Sequence, residues 1–151
     1  MGTQPLTVAL FQLTSIDDSA SNEAEIFSCL DELRAMGGAR LILLPENSLY
    51  LRLDRQAAVK GHELCDSVFA RLSDYCRQQQ CEILLTTPLR ENGRLVNATL
   101  RLSGSAPTEV VYRKIHLFDV DVEGAPPVRE SDEFAPGRAP AVIEVAGWKV
   151  G

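Results

Sequence analysis

The stretch Leu-Ile-Leu-Leu-Pro-Glu, residues 41–46, predicts the end of a central strand in an α/β sheet. Four consecutive branched apolar residues are typical of a strand buried on both faces, because a half-buried strand alternates apolar and polar side chains. Pro45 cannot donate a hydrogen bond to a neighbouring strand, so it marks the strand's end. Glu46 would then lie at the carboxyl end of a central strand, where open α/β sheets form their ligand crevices. Alternatively, Glu46 caps a helix or lies solvated at the surface, because burying a carboxylate without a partner costs free energy.

The segments on either side of this stretch predict a β-α-β unit. A first buried strand is expected over residues 7–13. A helix follows, because apolar residues recur at helical spacing over residues 26–37. Asn22 with Glu25 three residues later has the pattern of a capping pair at its start, and the glycines at 37–38 permit a left-handed cap at its end. Two strands joined by a helix in this way should lie parallel.

The later part of the chain predicts one more helix and then a series of strands. The helix is expected over residues 61–80, and the Asn-Gly pair within residues 91–94 predicts a hairpin turn. Residues 119–140 are long and irregular, and loops of that length are usually functional or disordered. The further strands are expected over residues 82–87, 95–102, 109–117, 141–145 and 148–150.

The net charge and the hydropathy pattern of the chain argue against nucleic-acid and membrane partners. A formal net charge of -6 argues against non-specific nucleic-acid binding, which needs clustered lysine and arginine. No apolar run approaches membrane-spanning length, and residues 6–13 lack the basic start and cleavage site of a signal peptide. We therefore expect a cytoplasmic protein with no nucleic-acid partner and no membrane partner.

The cysteines are expected to be reduced packing residues rather than nucleophiles or metal ligands. They form no Cys-x-x-Cys pair, and apolar helix faces raise the pKa of a thiol. The His-Glu-Leu-Cys fragment at residues 62–65 could supply half of a metal site, but no second ligand pair accompanies it. We expect no metal and no organic cofactor. The pattern places Cys29, Cys65 and Cys76 on helices. It places Cys81 between a helix and a strand.

Lys114 is the predicted partner of Glu46. Alternation along the strand at 109–117 puts Lys114 on the same face as Tyr112 and His116. A lysine buried in a strand needs an anion, and Glu46 at the end of a neighbouring strand is the candidate. The pair is either a buried ion pair of little net stability or a base beside a cation that stabilises an oxyanion. The second interpretation still requires a nucleophile.

Three segments carry a more specific pattern: Leu-Leu-Pro-Glu at 43–46, Tyr-Arg-Lys-Ile-His-Leu-Phe at 112–118, and the segment at 130–137 that begins Glu-Ser and ends Pro-Gly. In order and in spacing they resemble the nitrilase superfamily of carbon–nitrogen hydrolases. The resemblance extends over essentially the whole chain and is greatest to the Nit branch, which includes ω-amidases and deaminated-glutathione amidases. Lesser agreeing features are Gln12, the Gly-Ala pair at 38–39, and Asn97.

The resemblance implies a Glu-Lys-Cys triad. Glu46 matches the general base, Lys114 matches the cation that steadies the tetrahedral intermediate, and Glu130 matches a second glutamate that positions Lys114 and the substrate. The nucleophilic cysteine would follow the strand that begins at residues 147–151, beyond the end of this chain. The chain departs from the family pattern at residues 123–127, Glu-Gly-Ala-Pro-Pro, which bears on pocket lining and substrate size rather than on the triad.

The fold implied by the resemblance is an αββα sandwich, of which this chain would supply about half. Residues 1–151 are then the N-terminal portion of a single carbon–nitrogen hydrolase domain, truncated before the nucleophile. The inner face of the sheet would pack on the missing half, so these residues alone are expected to aggregate, or to stay folded only with a partner covering that face. Family resemblance also implies a homodimer for the full-length protein.

The implied activity is that of a thiol amidohydrolase that releases ammonia from a small, carboxylate-bearing amide. Arg113 or Arg129 is a candidate partner for the substrate carboxylate, with surface arginines as the alternative. Three rival functions stay open. They are a catalytically inactive binding module with the same fold, a nitrilase or N-carbamoyl amidase with a different substrate, and, ranked last because no Gly-rich phosphate loop is present, an unrelated α/β nucleotide binder.

Overall fold

The computed structural model describes residues 4–124 and 126–151, which form an α/β fold built on one five-stranded sheet. Ala125, within the loop at 123–127 that departs from the family pattern, lies outside the described residues. In chain order the elements are β1 (Val8–Leu10), α1 (Ser19–Ala35), β2 (Leu41–Leu43), α2 (Ser67–Gln79), β3 (Glu82–Glu91), β4 (Arg94–Ser103), β5 (Glu109–Arg113), β6 (Asp119–Val120), β7 (Val128–Arg129), a 3-10 helix (Glu130–Asp132), β8 (Ile143–Val145) and β9 (Trp148–Val150).

The strands of the main sheet lie in sequence order, β1-β2-β3-β4-β5. β1, β2 and β3 are parallel, which confirms the predicted β-α-β unit. β4 and β5 each run antiparallel to the preceding strand. The predicted hairpin turn between β3 and β4 is also confirmed, with positive φ angles of 50° at Asn92 and 77° at Gly93. The glycines that end α1 have positive φ as well, as a left-handed cap requires.

The hydrophobic core lies between one face of the sheet and the two helices. Ile26 and Leu30 of α1 and Phe69 and Leu72 of α2 are fully or almost fully buried there. β3 shows the expected alternation, since its core-facing side chains are buried and the intervening ones are half-buried. The hairpin β8–β9 lies against the other face of the sheet, across a cavity of about 430 Å³.

The expectation that the first strand is buried is wrong. β1 is the edge strand of the sheet, and the side chains of Val8 and Leu10 are 43% and 76% exposed. Only Ala9 of this strand packs against the core. An apolar run predicts a strand, but it does not reveal whether a neighbouring element covers both faces.

The predicted start of the first helix is displaced by one turn. The cap is Asp18, whose carboxylate accepts the main-chain N–H groups of Ala20 and Ser21 at 2.9 and 3.4 Å. Asn22 is instead buried inside the helix, and its side-chain amide donates to the carbonyl oxygens of Ile16 and Leu49. The capping pattern at Asn22 is therefore wrong, because that side chain anchors the loops before the helix and after β2.

The predicted helix at 61–80 begins only at Ser67. Before it, His62 pairs with β3, since it donates its main-chain N–H to Pro88 and accepts one from Arg90, at 2.9 and 2.8 Å, and residues 64–65 form a turn. Cys65 consequently lies outside the helix and is exposed, so its expected role as a packing residue is wrong. Cys76 and Cys81 are buried as expected, and Cys29 is half-buried.

The predicted strand at 109–117 ends at Arg113, so Lys114 is not in mid-strand and His116 is exposed rather than aligned with it. Lys114 still donates its main-chain N–H to Asn97 of β4, at 2.9 Å, while its carbonyl accepts the N–H of Gly137, at 2.8 Å. The approach of Gly137 is so close that a Cβ atom there would overlap the carbonyl oxygen of Arg113. Within the described part of the chain, neither helix has the length and hydrophobicity needed to cross a membrane.

Candidate active site

The ammonium group of Lys114 lies between two carboxylates. Its Nζ atom is 3.0 Å from Oε1 of Glu46 and 3.0 Å from Oε2 of Glu130. The exposed fractions of the side chains are 49% for Glu46, 25% for Lys114 and 14% for Glu130. The structure thus brings together all three residues that the sequence singled out, although they are separated by 68 and 16 positions along the chain.

Glu46 is held at the end of β2 by a sharp turn. Ahead of it, the N–H of Leu44 still donates to Leu84 of β3, and beyond it the N–H of Ser48 donates to Thr86, at 2.9 and 3.0 Å. Asn47 has a φ of 60°, which turns the chain between these two hydrogen bonds. Because both ends of the turn are tied to β3, the position of Glu46 is fixed by the central sheet.

Asn97 connects the two halves of this site. It is only 3% exposed, and its side-chain amide donates to Oε1 of Glu46 while its main-chain carbonyl accepts the N–H of Lys114. Its Oδ1 atom is buried and has no hydrogen-bond partner among the residues that the structure describes. The sequence marks Asn97 only as a lesser family feature and does not predict this contact. The available signal was an amide in a strand whose neighbours, Val96 and Ala98, are apolar.

Glu130 is held by the small sheet that β6 and β7 form. Its carboxylate accepts the main-chain N–H of Phe118, and its own N–H donates to the Phe118 carbonyl at 3.3 Å. Its carbonyl accepts the N–H groups of Glu133 and Phe134, which form the 3-10 turn. Glu130 is therefore held by main-chain hydrogen bonds on both sides, and its carboxylate has little freedom to leave Lys114.

The two carboxylates keep Lys114 charged. Partial burial by itself would lower the pKa of the Lys114 ammonium, but the hydrogen bonds and negative charges of Glu46 and Glu130 outweigh it, so the pKa lies above its ordinary value. A fixed positive charge next to a carboxylate can stabilise a developing oxyanion while the carboxylate accepts or returns a proton. The arrangement is thus suited to acid–base chemistry at a carbonyl group.

A cavity of about 520 Å³ opens beside these residues, a size that suits a small molecule. Charged side chains line much of it, while apolar groups line the part near β7 and the 3-10 turn. The charged lining residues include Glu46, Lys114, Glu130, Arg52, Arg55 and Arg129, and the apolar ones include Phe118 and Val128.

Of the two arginines predicted as carboxylate partners, only one lines this cavity. Arg113 binds Glu91 through two hydrogen bonds and lies in a different groove, so that assignment is wrong. Arg129 does line the cavity, but its Nη2 atom is already bound by both oxygens of Asp121, at 2.7 and 2.6 Å.

No cysteine among the described residues lines this cavity. Burial raises the pKa of the Cys29 thiol, and a hydrogen bond to Cys81 together with burial raises that of Cys76. Cys65 is exposed, but it lies in a groove on the far side of α2. The thiols of this chain are therefore not placed to act as the nucleophile beside Glu46.

Residues 7–151 match the family model for carbon-nitrogen hydrolases. The chain belongs to the carbon–nitrogen hydrolase family. A hydrolase of Schizosaccharomyces pombe is 29% identical over 148 residues, which are 95% of this chain and 45% of the yeast protein. An omega-amidase of Xenopus tropicalis is 32% identical over 122 residues, which are 78% of this chain and 43% of that protein.

The fold of this chain agrees with that of solved structures of the family. A CN-hydrolase superfamily protein from Xanthomonas campestris superimposes with a TM-score of 0.77 at 24% identity, covering 95% of this chain and 51% of that one. The predicted nitrilase-type fold and the predicted family are thereby confirmed. The chain spans about half the length of the relatives it matches.

Proposed function

We propose that this chain is part of a longer thiol amidohydrolase that cleaves the C–N bond of a small, carboxylate-bearing linear amide and releases ammonia. The observation that carries the proposal is the ammonium group of Lys114, held 3.0 Å from both Glu46 and Glu130 beside an open cavity. The nucleophile is a cysteine that follows residue 151 in the longer protein. Family membership and the names of the omega-amidase relatives support hydrolysis of an amide.

In the first half of the proposed reaction, Glu46 accepts the proton of the thiol, and the thiolate attacks the carbonyl carbon of the amide. The electron pair of the C=O bond moves onto oxygen, and the ammonium group of Lys114 stabilises the resulting oxyanion. When the intermediate collapses, the C–N bond breaks and Glu46 returns its proton to the leaving nitrogen. Ammonia departs and a thioester remains.

In the second half, Glu46 accepts a proton from water while the water oxygen attacks the thioester carbonyl. Collapse of this second intermediate breaks the C–S bond and expels the thiolate, which regains its proton from Glu46, and the carboxylic acid leaves. Glu130 positions Lys114 throughout, since its carboxylate is anchored by the main chain of Phe118. This mechanism requires no metal and no organic cofactor.

The proposal is tested by ammonia release from the full-length protein. Matched linear amides, nitriles and N-carbamoyl amino acids are offered, and we expect turnover of the amides and little turnover of the other two classes. Preferred turnover of nitriles or carbamoyl substrates would assign the enzyme to the rival activity. A residue other than cysteine at the nucleophile position, with no ammonia from any substrate, would instead identify an inactive binding module.

We also propose that the longer protein is located in the cytoplasm and forms a homodimer. Four unpaired cysteines fit a reducing compartment, where disulfides rarely persist. Fractionation of cells that produce the full-length protein tests the compartment, and sedimentation of the purified protein tests the dimer.

A further inference from the structure

The end of α2 brings two cysteines together. Cys76 lies in the last turn of the helix, and Gln80 after the helix has a left-handed φ of 52°. The chain therefore turns back, and the main-chain N–H of Cys81 donates to the carbonyl oxygen of Cys76, at 3.1 Å. This hydrogen bond keeps the two Cα atoms within about 7 Å of each other, which is the upper limit for a disulfide.

The thiol groups of these two residues also contact each other. They lie close enough for a hydrogen bond in which Cys76 is the donor and Cys81 the acceptor. The Sγ atom of Cys76 has a second acceptor in the carbonyl oxygen of Leu102, at 3.5 Å. Helix ends of this kind commonly have an apolar contact at the same two positions. Here the contact joins two thiols, so the geometry that packs the helix end also permits chemistry between the side chains.

An open groove of about 430 Å³ gives small molecules access to this pair of thiols. Both cysteines line the groove, together with Arg40 and Glu82. The guanidinium group of Arg40 donates a hydrogen bond to the main chain at the end of α2, and it forms no ion pair within residues 4–124 and 126–151. Glu82 is bound by Arg101 at 2.6 Å, so its negative charge is compensated. The groove therefore places a positive charge beside the thiols.

These surroundings make the two thiols unequal. The hydrogen bond from Cys76 lowers the pKa of the Cys81 thiol, burial opposes that effect, and the positive charge of Arg40 adds to it. The pKa of the Cys76 thiol is raised, first by the same hydrogen bond and then by burial. Cys81 is therefore the better source of a thiolate, while Cys76 keeps its proton.

We propose that Cys76 and Cys81 form a reactive dithiol that a hydroperoxide converts into an internal disulfide. The Cys81 thiolate attacks a peroxide oxygen, the O–O bond breaks, and the sulfur becomes a sulfenic acid, while the departing oxygen takes up the proton that Cys81 released. The sulfur of Cys76 then attacks that of Cys81. The S–O bond breaks, the S–S bond forms, and the hydroxyl group leaves with the Cys76 proton as water.

The two steps balance. The two sulfurs together lose two electrons, which the peroxide gains, and the products are one disulfide, one alcohol (water when the oxidant is hydrogen peroxide) and one further water. The dithiol lies outside the cavity beside Glu46 and Lys114, so this inference does not depend on the proposed amidohydrolase function.

The remaining cysteines of the chain lack this arrangement. Cys65 is exposed, but no other cysteine of the described residues lines its groove. Burial and the negative charges of Glu32 and Glu25 raise the pKa of the Cys29 thiol. If exposure alone decided reactivity, Cys65 would be oxidised before the others, whereas the dithiol predicts oxidation at Cys81.

The test is oxidation of the folded full-length protein with a small molar excess of hydrogen peroxide. Free thiols are then blocked with N-ethylmaleimide, and the protein is digested with trypsin, which cleaves after Arg77 between the two cysteines. We expect mass spectrometry to find the peptides 72–77 and 78–90 joined, with a mass two hydrogens below their sum, and separated again by dithiothreitol. Cys65 should remain mostly alkylated.

Single variants test the order of attack. In Cys76→Ser the sulfenic acid on Cys81 has no thiol partner, so dimedone, a reagent for sulfenic acids, should label the peptide 78–90. In Cys81→Ser we expect no dimedone on Cys76, because that thiol keeps its proton. The matched control is Cys65→Ser, which removes an exposed thiol outside the groove and should form the disulfide at the rate of the wild type.

Three results would overturn the proposal. Alkylation of both Cys76 and Cys81 after peroxide treatment, whether or not Cys65 is oxidised, would show that their contact serves packing alone. A disulfide that forms only once the protein is unfolded would show the same. Dimedone on Cys76 in Cys81→Ser would overturn the assigned order of attack. The measurement on the wild type needs no substitution, so it decides the proposal even when a serine at one of these buried positions prevents folding.

Discussion

The side chain of Asn97 donates a hydrogen bond to Glu46, and the main chain of the same residue accepts one from Lys114. One buried residue of β4 thereby sets the positions of the acid and of the amine. Both contacts reach the same Oε1 atom of Glu46, so Oε2 has no hydrogen-bond donor among the residues that the structure describes. Asn97 acts through Glu46 and is a positioning residue.

The first prediction concerns Asn97→Ala in the full-length enzyme. We expect kcat to fall about tenfold or more with little change in KM, because a hydrogen bond to a charged group contributes roughly 1.5 to 3 kcal/mol. The hydrogen bond from the Lys114 N–H survives, since it ends on the main chain. Steady-state kinetics measures the split between kcat and KM, and circular dichroism checks the fold. A normal kcat in a folded variant would contradict the positioning role.

The second prediction is that Glu46→Gln abolishes turnover and preserves the fold. The substitution is isosteric and about half of the side chain is exposed, so the cost in stability should be small. A glutamine cannot accept the thiol proton, and the loss should exceed about a hundredfold. Glu144→Gln, at an exposed position in the β8–β9 hairpin, is the matched control and should be fully active. Ammonia release measures both.

The sequence predicts the meeting of Glu46 with Lys114 because a lysine buried within a strand needs an anion, and Glu46 follows the end of another strand. The exposure of β1 is not predicted by its sequence, because the burial of a strand depends on elements far away in the chain. The sequence pattern also misplaced the start of α2. The apolar groups at helical spacing begin at Cys65, yet His62 is hydrogen-bonded to β3 and residues 64–65 form a turn before the helix starts. Long-range main-chain pairing overrides local periodicity there.

The contacts of the two candidate arginines could not be derived from sequence for a similar reason. Arg113 and Arg129 lie inside recognisable motifs, yet Arg113 is paired with Glu91 and Arg129 with Asp121, and that pairing depends on how the chain folds.

The third prediction concerns Lys114 and alkaline pH. The two glutamates raise the pKa of Lys114 above its ordinary value of 10.5, so the bound proton stabilises the fold at every pH below that value. The stabilisation is lost as the pH rises through the raised pKa. The melting temperature of Lys114→Met should therefore lie well below that of the wild type at pH 8, and the gap should narrow above the ordinary lysine pKa. Differential scanning calorimetry from pH 8 to alkaline pH measures this difference in melting temperature. Lys149→Met, at an exposed site, is the control. A gap that stays constant would contradict the pairing.

The fourth prediction concerns the ion pair of Arg52 with Glu133. Both side chains are about three-quarters covered, at 25% and 32% exposure, and the contact has two prongs. A double-mutant cycle with Arg52→Met and Glu133→Gln should give a coupling energy near 1 kcal/mol, at the upper end for surface pairs. The exposed pair of Arg77 with Asp74 is the reference.

The reference pair of Arg77 with Asp74 should give a coupling energy of only about 0.3 kcal/mol. Denaturant unfolding of the full-length protein measures both cycles. Equal coupling energies in the two cycles would mean that the pair of Arg52 with Glu133 is no stronger than an exposed surface pair.

The fifth prediction is that Gly137→Ala is strongly destabilising. A Cβ atom at this position would overlap the carbonyl oxygen of Arg113, which is a main-chain atom and cannot rotate away. The segment would have to move, and the hydrogen bond from Gly137 to the Lys114 carbonyl would lengthen or break. We expect a loss of at least about 3 kcal/mol in unfolding free energy, at the upper end for single substitutions.

Gly38→Ala is the matched control for that variant. Gly38 has a φ of 77°, but no atom of the described residues lies near the position that its Cβ would take. Its substitution therefore costs only backbone strain, about 1 to 2 kcal/mol. Because Gly137 contacts Lys114, whose ammonium group lies between Glu46 and Glu130, its variant should also lose activity at temperatures where it is still folded, and Gly38→Ala should not. Comparable unfolding energies and activities for the two variants would show that Gly137 does not hold Lys114 in place.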